Sequence, residues 1–214
     1  IVISLAQSFR PVTSGAYSLQ EEYTYTQEAF LEYWEHLSPQ GVLVVPRWLR
    51  LPPSERVRAL ALAASALEEA GVEEPSQHIA ALRSFSTMLL MVKRTPFTPN
   101  QIQGIKEFAQ GMRFDLVYYP GMPREEANRF YLLEEPEYHL AYKGLLEAED
   151  KEKFYSAYPF DISPPSDDRP FFFHFFTWKQ VPAILANWGK IWQPFGGSAS
   201  LQLWALLLLA GILF

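Results

Sequence analysis

Leu37-Ser38-Pro39-Gln40-Gly41-Val42-Leu43-Val44-Val45 is the stretch that decides the fold class. Ser38-Pro39-Gln40 is turn chemistry, because proline presets φ and serine hydrogen-bonds its own backbone. Gly41 to Val45 is then an unbroken apolar run, the pattern of a strand buried on both faces. Just before the turn, residues 21–37 place Tyr23, Phe30, Tyr33, Trp34 and Leu37 on one face of a helix. Just after it, Pro52-Pro53 break the chain and Ser54 is a candidate cap. Val57, Leu60, Ala64 and Leu67 then recur at helical spacing up to a stop at Gly71. Helix, apolar strand and helix in succession are the alternation of an α/β sheet.

Further out, residues 1–5 read as another buried strand and residues 9–20 as a polar loop. Residues 78–85 and 87–93 are strand candidates with almost nothing between them, so antiparallel neighbours are expected. Thr98-Pro99-Asn100-Gln101 carries a capping box with proline at the first helical position. Ile102, Ile105 and Ala109 face inward from that helix, and Gly111 is read as its stop. A short strand over 114–118 and a helix over 136–149 complete the pattern. The expected fold is α/β, with a mostly parallel, doubly wound sheet and a late antiparallel strand.

Composition narrows the function classes. The 214 residues contain 18 Lys+Arg against 24 Asp+Glu and no cysteine. A disulfide scaffold, thiolate metal ligation and a cysteine nucleophile are thereby excluded. A net charge of −6 is a poor match to nucleic acid. His36, His78 and His139 lack metal-ligand spacing, and His174 lies among phenylalanines as a packed or interfacial residue would. No Gly-x-Ser-x-Gly elbow and no Asn-x-Ser/Thr sequon occurs.

The charge is unevenly spread. Residues 1–170 carry all 24 acids and a net −8, whereas the last 44 carry only Lys179 and Lys190. Residues 171–198 read as an aromatic interfacial segment and 199–214 as a truncated transmembrane helix. The seven leucines, Ile212 and Phe214 there, at about −0.5 kcal/mol each, favour insertion by roughly 4–5 kcal/mol. Trp188, Trp192, Trp204 and Lys190 flank it as a membrane belt would. The expected partners are a lipid bilayer and a small-molecule substrate, with the soluble domain on the cytoplasmic side and an oligomer possible. A core helix is the alternative for so short an apolar run.

Taken in order, several stretches resemble spermidine synthase-like proteins, which share the class I methyltransferase-type Rossmann fold. These are the strand entry at 37–44, Glu21-Glu22-Tyr23-Thr24-Tyr25-Thr26-Gln27-Glu28-Ala29-Phe30, and Asp167-Asp168-Arg169-Pro170-Phe171-Phe172-Phe173-His174-Phe175. The last is similar to the end of the soluble domain in membrane-integrated bacterial relatives. The resemblance covers most of 1–178 and only the second half of that fold. It implies S-adenosylmethionine or its decarboxylated form as cofactor, bound at the carboxyl ends of the strands. The glycine-rich nucleotide loop belongs to the half not represented, and no Gly-x-Gly occurs here.

The resemblance also locates the acceptor site. Family members carry paired acids where this chain has Ser4 and Gln7. An attacking amine must first lose a proton, and carboxylates stabilise the cation and accept that proton. Ser4 and Gln7 supply hydrogen bonds but no charge. Gln7, Ser8, Tyr17, Tyr23 and Tyr25 are the candidate substrate contacts, with the tyrosines alternatively lining the helix–sheet seam. Glu21 and Glu22 either replace the missing acids or simply suit a helix dipole. Asp167, Asp168 and Arg169 are a charged cluster that either meets a basic substrate or head group, or caps and orients the aromatic segment. The readings left open are an aminopropyltransferase-like enzyme, a methyltransferase with a small acceptor, and a catalytically silent domain for ligand sensing or membrane-protein assembly.

Overall fold

A computed structural model describes residues 1–5, 19–49, 51–182 and 198–213. It is a mixed α/β structure with a four-stranded sheet in the order β1-β3-β2-β4. The strands are β1 (Val42–Trp48), β2 (Ile79–Arg83), β3 (Thr87–Lys93) and β4 (Asp115–Tyr118). Every ladder is antiparallel, which corrects the expectation of a mostly parallel sheet. The cause is the tight turn at 84–86, where Ser84 and Thr87 bond each other and fold β3 back between β1 and β2. Since β1 and β2 both oppose β3, they run in the same direction. Along the free edge of β1, Val2 bridges Val44 in parallel, with the Ile3 N–H donating to the Val44 carbonyl at 3.0 Å.

The helices are α1 (Gln27–Glu35), α2 (Glu55–Glu69), α3 (Pro99–Met112), α4 (Glu137–Leu146), α5 (Lys151–Ala157) and α6 (Ser198–Leu213). α1 starts six residues later than its periodicity suggests. Thr26 is extended and accepts from the Ala29 N–H at 3.3 Å, so the helix is capped there and Tyr23–Tyr25 form a 3₁₀ turn. The capping box of α3 is present as read. That helix, however, runs past Gly111 and ends where Arg113 takes a left-handed φ of 55°. β1 alternates between buried and half-buried residues, so only one of its faces lies in the main core, not both. The helix read over 136–149 is present as α4, and a further short helix, α5, follows it where Asp150 accepts from the Lys153 N–H at 2.9 Å.

The main core is one face of β1, β2 and β3 against α1, α2 and α4. Phe172, Phe173 and Phe175, from the segment read as interfacial, are buried in it. A smaller core on the opposite face joins Ala80, Phe97, Ala109, Leu116, Tyr119 and Met122 under α3. α6 exposes Leu206–Leu209 and Ile212, and its Trp204 lies 6.3 Å from the Trp178 ring. No helix among the described residues is long and apolar enough to cross a membrane. The Trp188, Lys190 and Trp192 belt lies outside the described residues.

Candidate functional site

Of the sequence-derived site residues, Ser4 and Tyr25 lie near the carboxyl end of β1. Parallel pairing at Val2 and Val44 puts Ser4 level with Pro46, at the exit of both strands, and Ser4 is exposed. Gln7, Ser8 and Tyr17 lie outside the described residues. Tyr23 and Tyr25 are only two residues apart yet serve in different layers. Tyr23 is 54% exposed and donates its hydroxyl to the Glu21 carboxylate at 3.3 Å. The Glu21 charge, then loss of hydration and a weaker contribution from Asp167, raise its pKa. Glu21, Tyr23 and Asp167 therefore form an acidic rim. Asp167, Asp168 and Arg169 are exposed, and the Asp167 N–H donates to Glu28 at 3.0 Å.

Tyr25 instead forms the base beneath that rim. It is 1% exposed, stacks on Phe172 at a centroid distance of 4.5 Å, and its hydroxyl accepts from Arg47 at 3.1 Å. Burial raises its pKa, and the nearby guanidinium only partly offsets this. Arg47 is fully buried and pairs with the equally buried Glu55. The guanidinium carbon also sits 4.9, 5.6 and 5.1 Å from the Tyr25, Phe172 and Phe173 ring centres. Burial alone disfavours its charge, but Glu55 and Tyr25 more than restore it. Glu55 also suits the first turn of α2, where the helix dipole favours an anion.

Two more arginines on the same turn fix the surroundings. Arg56 donates to the carbonyls of Trp48 at 2.8 Å and Met88 at 2.9 Å, tying α2 to the ends of β1 and β3. Arg58 donates to the carbonyls of Ser163, Phe171, Phe172 and His174 at 2.7–3.1 Å. One guanidinium thus gathers the backbone that follows Asp167-Asp168-Arg169. Burial lowers both arginine pKa values to about 10, still charged at neutral pH.

Sequence reading missed Arg47, Glu55 and Arg58. The available signal was a basic residue directly after an apolar strand and an acid opening the next helix, eight residues on. Chemically, the base is a neutralised, closed structural knot, and the rim is a negative surface suited to a cation. No family model, curated protein or solved structure matches this chain.

Proposed function

We propose that residues 1–178 belong to a spermidine synthase-like transferase domain that uses S-adenosylmethionine or its decarboxylated form. The direction of the strands carries this reading. Residues 1–3, β1 and β2 all run the same way, while β3, wedged between β1 and β2, and β4, on the outer edge of β2, run the other way. In the chain α2 lies between the same-direction strands β1 and β2, as the helix of a crossover does in such folds. The carboxyl end of β1, where Arg47 bonds Tyr25, lies near the acidic rim, and such folds take ligands at strand carboxyl ends. An amine acceptor would be held as a cation by Glu21 and Asp167, in place of the neutral Ser4 and Gln7. The exposed leucines of α6 are the membrane contact of this reading, since contiguous apolar surface marks an interaction site.

Calorimetric titration of the full-length protein with each nucleotide tests it. The reading requires binding of at least one, and absence of binding by both at millimolar concentration overturns it. Ser4, a neutral residue at an acid position, favours a second reading as a catalytically silent domain. Aminopropyl transfer gained only by the Ser4→Asp/Gln7→Asp protein would support that one; transfer by the unaltered protein would end it.

A further inference from the structure

The opposite face of the sheet, at its other end, holds a cleft of different chemistry. Side chains alternate along β3, so Leu89, Met91 and Lys93 share one face while Met88, Leu90 and Val92 enter the main core. Across from them α3 presents Gln101, Gly104, Ile105 and Phe108, a single stripe at i, i+3, i+4 and i+7. The helix does not close onto the strand. A cleft of about 400 Å³ lies between them, comparable with small-molecule sites of roughly 300–1,000 Å³.

Two independent features mark it as built for a ligand. Lys93 is only 3% exposed, and among the described residues no carboxylate lies within 4.0 Å of its ammonium. The ammonium donates to the Thr95 carbonyl at 3.3 Å and to the Thr95 hydroxyl, which leaves one N–H over. Burying an ammonium without a counter-charge costs several kcal/mol. Gln101, whose oxygen is taken by the Thr98 N–H at 3.0 Å, also lines the cleft. The second feature is Gly104. Glycine inside a helix costs about 0.5–1 kcal/mol relative to alanine, and a Cβ there would meet nothing within 4 Å. Gly104 lines the cleft, and a side chain there would enter the open space beside it.

An apolar wall that ends at a buried cation complements an amphipathic monoanion. From Lys93 to Leu89 is about 13 Å along the strand and from Gln101 to Phe108 about 10 Å along the helix, the length of a chain of roughly eight to eleven carbons. We propose that this cleft binds a free medium-chain carboxylate, its head group on Lys93 and its chain along Leu89, Met91, Ile105 and Phe108. The site lies apart from the acidic rim and does not depend on the transferase reading.

Calorimetry on the full chain with decanoate, below its micelle-forming concentration, tests the proposal against decan-1-ol. One-to-one decanoate binding is expected, with decanol at least tenfold weaker. Lys93→Met should weaken decanoate to the level of decanol. Gly104→Leu should abolish binding of both without lowering the melting temperature. Absent decanoate binding, equal binding of decanol, or decanoate retained by the Gly104→Leu protein would each overturn it. Should Lys93→Met fail to fold, the decanol and Gly104→Leu arms still decide.

Discussion

Arg47 and Lys93 are both buried cations on one small sheet, yet they are housed in opposite ways. Arg47 lies at the carboxyl end of β1 with a carboxylate, a phenol and aromatic rings around it. Lys93 lies across the sheet, cross-strand from Val42 at the amino end of β1, with only a threonine to bond. The first arrangement satisfies its charge internally and so belongs to the architecture. The second leaves a charge to be balanced from outside, next to a space. A buried charge becomes evidence for a ligand only once its counter-charge has been looked for.

The comparison breaks most readily at Arg47. Arg47→Met strands Glu55 as an uncompensated buried charge and should cost about 3–5 kcal/mol in urea denaturation. Adding Glu55→Leu should recover most of that loss, whereas additive losses would deny that the pair is the cause. Arg58→Lys should cost about 2–3 kcal/mol, because a point charge cannot serve four carbonyls in place of a planar fork. Hydrogen exchange should then quicken across residues 161–175 and not in β2 or β3.

Alkaline pH probes burial at a comparable scale. Burial pushes the Tyr118 phenol up to about 12. Its pKa is thus higher folded than the roughly 10 of an unfolded tyrosine. The stability it contributes is complete below pH 10 and falls progressively between pH 10 and 12. Phenolate absorbance should lag behind that of a free tyrosine until the chain unfolds.

The smallest effects belong to the cleft. Lys93→Met should cause no loss of stability, since it removes an uncompensated charge and leaves a flexible apolar chain. Gly104→Ala should raise stability by about 0.5–1 kcal/mol. A loss at Lys93 as large as that at Arg47 would erase the distinction between them.

What the sequence revealed was local. Thr98 and Gln101 define the start of α3 because a capping box lies within four residues, and the α2 stripe is visible because its core face repeats within a turn. The reversal of 87–93 against 78–85 was legible because almost nothing separates the two runs, whereas the reversal of β4 was not, since the apolar run at 114–118 reads alike in either sense. The late start of α1 follows from Thr26 capping, which competed with an aromatic periodicity that continued through the 3₁₀ turn. Neither charged centre could be seen. Arg47 and Glu55 sit on different elements and meet only in the folded chain, and Lys93 sits in phase with a half-exposed face, where a lysine ordinarily reaches water. It is α3, six residues further on, that covers it.

Methionine methyl NMR reads both regions in one spectrum. Met88 and Met91 lie three residues apart on β3, Met88 cross-strand from Arg47 and Met91 in the cleft. With the four methionines labelled at the methyl carbon, decanoate should move the Met91 resonance saturably and leave Met88 in place. Movement of Met88 with Met91 unchanged would contradict the assignment of the closed corner to architecture and of the Lys93 cleft to a ligand.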